Sequence, residues 1–298
     1  MYKIREKKIS IIGLGKVGYA LLNRLLESKY NIYSAIEISK NIFLKVKKEQ
    51  RKLFLKSEIT SEVINNSDVI IISVKDDEIE SICEKIKSLN INVNGKIIFH
   101  TSGVLSSKII SKYFKNSKYS GSFQPIQTFN KHSRELKNKF NNIYILIEGG
   151  TNYLEYAKQI CRDIKCMPVI VNENQKKLFH ITSVFASNYL IAYIEFICDN
   201  YLKKNYKSKM IFKIVKPLII STIDNIDKSK EFYDALSGPI ERGDINTIKK
   251  HLEELKNLNT ELYSFYKFLG MRTINLALKK KSIDNKTALK IKKLFKYD

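Results

Sequence analysis

A glycine-rich segment near the start of the chain has the spacing needed to hold a dinucleotide diphosphate. Its six residues are Gly13, Leu14, Gly15, Lys16, Val17 and Gly18. The first glycine permits a tight turn, the second lets the backbone approach a pyrophosphate, and the third lets a helix pack close to a strand. The segment directly follows an apolar run and opens a helical pattern, which is the context that makes this spacing predict dinucleotide binding.

The end of the second predicted strand carries residues that bear on the preference for NAD or NADP. Glu37 can accept hydrogen bonds from the adenosine ribose and repel a 2′-phosphate, which favours NAD. Ser39 and Lys40, two and three positions later, could hold a 2′-phosphate instead. Glu37 could also be a solvated strand end. The residues therefore predict NADP or NAD as cofactor and leave the choice open.

Polar residues also end two later predicted strands, where ligands of a parallel sheet bind. Ser73 and Val74 end a strand that is apolar on both faces, and His100, Ser102 and Gly103 end the next one. We expect all five to lie near the cofactor, with the second group lining the nicotinamide side. The alternative for the second group is a turn whose histidine is satisfied internally.

A polar stripe on an apolar helix supplies the candidate catalytic residues of the second half. His180, Ser183, Ser187 and Asn188 share one face at helical spacing. Such a stripe is costly unless it lines a wet cleft or is satisfied within the core. In the first case His180 is the proton donor, because imidazole titrates near neutral pH. Ser187 and Asn188 would then orient the substrate.

The segment from residue 235 to residue 244 is a structured loop between helices, because it contains Gly-Pro and Gly-Asp pairs. Arg242 could clamp a substrate carboxylate through two parallel hydrogen bonds. Asp244 could cap the helix that begins near Thr247, or pair with Arg242.

Two kinds of periodicity divide the chain. Up to residue 172, short β-rich runs alternate with helical stretches, which predicts an α/β domain of the doubly wound Rossmann type. From residue 173 to residue 298 almost every segment has helical periodicity, with one long helix predicted over residues 176–202 and another, containing Pro217, over 209–226. We expect 1–172 to bind the dinucleotide and an all-α domain, 173–298, to bind substrate and dimerise.

Composition argues against several other classes of function. The net charge is +23, but the lysines are scattered and form no nucleic-acid-binding module. The four cysteines form no Cys-x-x-Cys pair and no histidine flanks them at zinc spacing, so no metal site and no disulfide framework are expected. Neither a signal peptide nor an apolar run of about 18 residues is evident. We therefore expect a cytoplasmic protein without nucleic-acid or membrane partners.

Six motifs taken together resemble a known bacterial family. In chain order they read GLGKVG, SVKDDEI, HTSG, GSFQPIQTF, FHITSVFASNYL and ALSGPIERGD. They resemble Rossmann-like proteins that carry a C-terminal domain of unknown function, number 2520, over about residues 8–262. That family is similar to pyrroline-5-carboxylate reductases and deazaflavin-dependent NADP oxidoreductases, and is related to the β-hydroxyacid and ketopantoate reductases.

The resemblance implies an NAD(P)-dependent oxidoreductase, with NADP or mixed cofactor use and a homodimer formed by helix packing. Its substrate would be a small carbonyl or imine acid such as ketopantoate or pyrroline-5-carboxylate. Two residues depart from the family pattern: Gln124 replaces a histidine, and Lys75 replaces a proline. If the family histidine carried a proton, either His180 is the remaining acid or the chain is a non-catalytic dinucleotide-binding sensor.

Overall fold

The computed structural model describes residues 4–39, 55–115, 117–129, 139–200 and 207–296, so Lys40 lies outside the described residues. The chain divides into two compact units, Met1–Ser187 and Asn188–Asp298.

An eight-stranded sheet forms the centre of the first unit, within the described residues. Its strand order is β3-β2-β1-β4-β5-β6-β7-β8, and every neighbouring pair is parallel except β6 and β7. The strands are β1 (Ile9–Ile12), β2 (Ile32–Ile36), β3 (Leu55–Lys56), β4 (Val69–Ile72), β5 (Ile97–His100), β6 (Ser120–Pro125), β7 (Tyr144–Gly149) and β8 (Met167–Ile170). The order reverses between β1 and β4, and ligands of such sheets bind beyond the carboxyl ends of the strands at that point.

Helices cover both faces of this sheet. They are α1 (Lys16–Glu27), α2 (Ser61–Asn65), α3 (Ile79–Ser88), α4 (Lys108–Phe114), α5 (Thr151–Asp163) and α6 (Glu173–Val184). Alternate residues of β4 belong to different cores: Val69 and Ile71 pack with α1 and α5, whereas Ile70 and Ile72 pack with α3 and α4. Because strand side chains alternate between faces, this double burial produces the continuous apolar runs read in the sequence. The predicted doubly wound fold is confirmed.

The second unit is all α-helical over its described residues, as predicted. Its helices are α7 (Leu190–Asn200), α8 (Ser208–Lys228), α9 (Ile245–Leu258), α10 (Thr260–Lys280) and α11 (Asn285–Lys296). The last three pack around a core that includes Ile248, Ile274 and Ile291. Pro217 lies inside α8 without ending it.

The long helix predicted over residues 176–202 is interrupted in the structure. A π-helical turn, Phe185–Tyr189, separates α6 from α7. Such a turn is wider than an α-turn and shifts the faces that follow it, and it is frequent at functional sites. Ser187 and Asn188 lie in this turn, so their placement relative to His180 differs from that of a regular α-helix.

The two compact units divide at residue 187, whereas the change of periodicity falls near residue 172. The reason lies in the first turns of α6. Asn172 and Gln175 form a reciprocal capping box, and the side chain of Lys176 is fully buried within the first unit. A helix that is anchored in this way is held by the sheet domain although its sequence looks like the helical half.

One helical stretch, Glu173–Asp199, is long and apolar enough to cross a membrane when judged by length and composition, although the sequence contains no uninterrupted apolar run. One such helix is weak evidence by itself, and 6% of its most apolar window is buried. The buried Lys176 shows that the first turns of the stretch pack on protein.

Candidate functional site

The glycine segment forms the loop between β1 and α1, and its first glycine is required by geometry. Gly13 has φ +91°, a left-handed conformation that other residues adopt only with strain. A Cβ added there would lie 2.6 Å from the carbonyl oxygen of Ser73 and 2.7 Å from Cγ1 of Val74. The loop therefore rests directly on the end of β4.

The other two glycines of the motif have different surroundings. A Cβ at Gly18 would overlap the carbonyl oxygen of Gly13, so α1 can pack this close only with glycine there. A Cβ at Gly15 would meet no described atom within 4 Å. Gly15 is also the N-cap of α1, and no side chain caps the first N–H groups of this helix among the described residues. Lys16 and Val17 begin the helix there. This arrangement fits an anionic diphosphate.

Glu37 is buried and its carboxylate joins two loops. The backbone N–H of Leu14 donates to Oε2 (2.7 Å), and the backbone N–H of Ser39 donates to Oε1 (2.8 Å). Glu37 is therefore not a solvated strand end. Its negative charge lies directly beneath the glycine loop, where a Rossmann dinucleotide places its adenosine ribose.

A line of hydroxyl groups continues from this loop along the carboxyl edge of the sheet. Oγ of Ser73 lies 2.9 Å from Oγ1 of Thr101, and a Cβ at Gly18 would lie 3.1 Å from the same Oγ. Thr101 follows β5, so the glycine loop, the end of β4 and the end of β5 form one continuous rim. Thr101 belongs to the HTSG motif, and its hydroxyl, in contrast to that of Ser102, lies at this rim.

His100 and Ser102 shape a turn and do not present their side chains at this rim. The backbone N–H of Ser102 donates to Nδ1 of His100, so Nε2–H donates to the carbonyl oxygen of Ser106 (3.2 Å). Burial, with a smaller effect from the charge of Lys176, lowers the pKa of His100 to about 3 and keeps the ring neutral. Oγ of Ser102 accepts the N–H groups of Val104 and Leu105. The structure therefore favours the turn alternative for both side chains.

Two residues from separate elements, His180 and Gln124, converge at Gly103. A Cβ added to Gly103 would lie 2.5 Å from Nδ1 of His180 and 2.9 Å from Nε2 of Gln124. Gln124 is buried near the end of β6, and its Oε1 has no hydrogen-bond partner among the described residues. His180 is partly exposed on α6. This cluster combines a group that can carry a proton with an unused buried acceptor.

The remaining candidates of the polar stripe are occupied by their own helix or lie elsewhere. Oγ of Ser183 donates to the carbonyl oxygen of Phe179 (2.8 Å), and Oγ of Ser187 donates to that of Ser183 (2.6 Å). Such bonds satisfy a hydroxyl inside a helix without a ligand. Asn188 is the first residue of the second unit.

Arg242 and Asp244 also belong to the second unit, in the loop before α9. Arg242 is exposed. Asp244 is the N-cap of α9: its Oδ1 accepts the backbone N–H of Thr247 (3.0 Å) and its Oδ2 accepts the Thr247 hydroxyl (2.6 Å). These two hydrogen bonds lower the pKa of Asp244. The capping alternative is therefore the one that the structure shows.

Among the described residues, no group of three His, Cys, Asp or Glu side chains could hold a metal ion. The chemistry available at the rim is that of a histidine, an amide, hydroxyls and a backbone anion site.

Two family models match the chain. Residues 8–99 match the NADP oxidoreductase, coenzyme F420-dependent family, and residues 143–273 match the domain of unknown function DUF2520. The resemblance inferred from its motifs is confirmed, and the similarity of residues 8–99 to NADP oxidoreductases supports the predicted oxidoreductase activity. No curated protein matches the chain.

Solved structures share the fold over most of the chain. A Bacteroides fragilis protein assigned as an NADP oxidoreductase is 21% identical, with TM-score 0.69, covering 92% of this chain and 100% of its own. The Streptococcus pyogenes 1-pyrroline-5-carboxylate reductase is 17% identical, with TM-score 0.62 and coverage of 92% and 99%. The Plasmodium falciparum pyrroline carboxylate reductase with NADP bound is 16% identical, with TM-score 0.59 and coverage of 93% and 98%.

The different surroundings of two glycines give a test of the anion site. We expect Gly15→Ala to leave the melting temperature unchanged and to raise the Kd for NADH and NADPH at least about tenfold, because the methyl group occupies the space that a diphosphate needs. Gly18→Ala is the contrasting variant, and its overlap with Gly13 should lower the melting temperature. Fluorescence titration and thermal unfolding measure both effects. Unchanged cofactor affinity in Gly15→Ala would refute this assignment.

Proposed function

We propose that the chain is a reductase that transfers a hydride from NAD(P)H to the C=N carbon of a small imine acid of the pyrroline-5-carboxylate type. The observation that carries the proposal is the convergence of His180 and Gln124 on Gly103, on the sheet that carries the glycine loop. The pyrroline-5-carboxylate reductases with this fold support the imine class. The comparisons give no support for ketopantoate, which we do not retain.

In this mechanism the bound cofactor supplies the hydride, and the chain supplies binding, orientation and a proton. The N-terminus of α1 at Gly15 would hold the diphosphate. His180 gives its proton to the substrate nitrogen as the carbon accepts the hydride, which leaves an amine and a neutral imidazole. Oε1 of Gln124 accepts a hydrogen bond from the N–H of the amine that forms, which satisfies a buried oxygen that otherwise has no described partner.

The remaining predicted catalytic residues lie around the π-helical turn and in the second unit. The roles of Asn188 in orienting substrate and of Arg242 as the clamp for its carboxylate stay predictions from the sequence; the guanidinium of Arg242 is exposed, as a carboxylate clamp requires. For Ser187 we propose a smaller part, since its hydroxyl already donates within the helix. Four free, buried cysteines support a reducing, cytoplasmic location.

Glu37 supports NAD over NADP as the preferred cofactor. Its carboxylate is buried and fixed by two backbone N–H groups, so it cannot swing away from a 2′-phosphate. An oxygen that accepts one N–H keeps capacity for a ribose hydroxyl. Both features favour the ribose diol over a phosphate, in contrast to the NADP use that the resemblance implied.

The second unit exposes an apolar surface that supports a homodimer. Of the described residues of α8, only Ile211 is buried, whereas Ile214 is 63% and Leu218 is 69% exposed. Ile191 on α7 is 69% exposed. A helix that is apolar on an uncovered face buries it against another surface, and a second copy of the same unit offers a matching one.

Replacing the proposed acid tests the reaction. We expect His180→Gln to lower kcat by about 10²–10⁴-fold while changing the cofactor Kd less than twofold, because proton donation acts only in the transition state. Loss of NADH absorbance with a panel of cyclic imine and keto acids measures turnover. The exposed His251, changed to Gln, is the control. Cofactor binding without turnover of any substrate in the parent would favour the sensor alternative.

Removing the charge of Glu37 tests the cofactor preference. We expect the parent to bind NADH more tightly than NADPH, and Glu37→Gln to shift the ratio of the two Kd values at least about tenfold towards NADPH, equivalent to ~1.4 kcal/mol. The variant keeps the size of the side chain and one acceptor oxygen. A parent that prefers NADPH would contradict this assignment.

A charge placed on the exposed face of α8 tests the dimer. We expect the parent to have the mass of a dimer by light scattering, and Leu218→Glu to be a monomer, because burying an unpaired carboxylate costs more than the interface returns. Lys213→Glu, at an exposed polar position of the same helix, should remain dimeric. A monomeric parent that sediments with lipid vesicles would show that the face meets a membrane instead.

A further inference from the structure

A fully buried lysine lies one helical turn before the proposed acid. Lys176 and His180 are four residues apart on α6, so their side chains leave the same face. Lys176 has no exposed surface, and its Nζ donates to the carbonyl oxygen of Leu105. Lysine is almost never buried completely unless it is paired.

The acceptor of this hydrogen bond belongs to the loop 101–107, which also carries Gly103. Buried polar groups hold the loop at its other positions as well. His100 binds the loop at Ser102 and Ser106, as described above. Glu148 on β7 accepts the backbone N–H of Ser107 (2.8 Å) and its hydroxyl (2.7 Å). Among the hydrogen bonds that the structure describes, only that of Lys176 joins this loop to the helix of His180.

These contacts connect α6 to the loop 101–107 at two positions, one helical turn apart. At the first the ammonium of Lys176 binds the carbonyl oxygen of Leu105, and at the second the ring of His180 lies against Gly103. A shift of the helix relative to the loop therefore changes the position of the proposed acid next to Gln124. A charge-assisted hydrogen bond is about twice as strong as a neutral one and resists such a shift.

We propose that Lys176 is a positioning residue of the reductase site, which sets the placement of His180 through the loop 101–107 and loosens it when the lysine loses its proton. The proposal rests on the proposed function only for its kinetic consequence. Four ionisable groups from separate elements interact electrostatically with the ammonium: Glu148 on β7, Asp76 after β4, Glu173 on α6 and His100 on β5.

The opposing effects of burial and of the neighbouring charges place the deprotonation of Lys176 near the upper end of the physiological pH range. Burial lowers the pKa of Lys176 to about 8, and the three carboxylates oppose this effect. Between about pH 8 and the ordinary lysine pKa of about 10.5, the unfolded chain keeps a proton that the folded protein has released. The unfolding equilibrium constant therefore falls as pH rises through this window, by up to about tenfold per pH unit.

The experiment compares the full-length parent with Lys176→Met, Lys176→Arg and the exposed neighbour Lys177→Met. The first readout is the ring nitrogen signal of His180 in NMR spectra, assigned through His180→Gln. We expect an inflection near pH 8 in the parent and in Lys177→Met, and none in Lys176→Met. The arginine variant keeps a charge that does not titrate, so it should also lack the inflection even if the methionine variant fails to fold.

Two further measurements separate a positioning role from a structural one. The urea midpoint of the parent should rise relative to that of Lys176→Met between pH 8 and pH 9.5, while parent and Lys177→Met change in parallel. With an imine acid as substrate, Lys176→Met should lose at least about tenfold in kcat with the cofactor Kd unchanged. A His180 signal that is identical in parent and variants would overturn the proposal. A chain that turns over no substrate would refute the proposed function and leave the NMR and urea results to judge Lys176.

Discussion

The contact between the first glycine of the β1–α1 loop and the end of β4 is the constraint on which the site depends. Gly13 lies so close to the backbone of Ser73 that no side chain fits between them. This contact places the open N-terminus of α1 above the point where the strand order reverses. The carboxylate of Glu37 fixes the same loop from the other side through Leu14. The loop is thus held in shape before any ligand binds, which lowers the conformational entropy that binding must overcome.

Buried polar side chains that form hydrogen bonds with backbone groups give the site a second level of order. His100, Ser102, Glu148 and Lys176 all direct hydrogen bonds into the loop 101–107. An irregular loop at the rim of a sheet leaves many N–H and C=O groups without strand partners, and each would be costly if buried unpaired. Side chains that meet this requirement also give the loop one conformation, so Gly103 has a defined position next to His180 and Gln124.

The second unit leaves part of its apolar surface uncovered by its own residues, within the part of the chain that the structure describes. In the second unit α9, α10 and α11 enclose a core of their own, whereas the apolar residues of α8 remain largely exposed. The π-helical turn at Phe185–Tyr189 lies where the chain passes from one compact unit to the next. A widened turn there changes which residues of the helix share a face, so the part of the polar stripe beyond Val184 does not follow the spacing of a regular helix.

The sequence by itself determined the fold class, the glycine loop and the position of His180 on the helix after the sheet. These features rest on local patterns: apolar runs buried on two faces, a glycine spacing at a strand–helix junction, and a helical period. Only the tertiary structure decided the roles of His100 and Ser102, the burial of Glu37, and the meeting of Gly103 with Gln124. It also showed that Lys176, one charged residue among many, is fully buried. Those outcomes depend on which distant segments lie side by side, and neither residue type nor spacing along one segment records that.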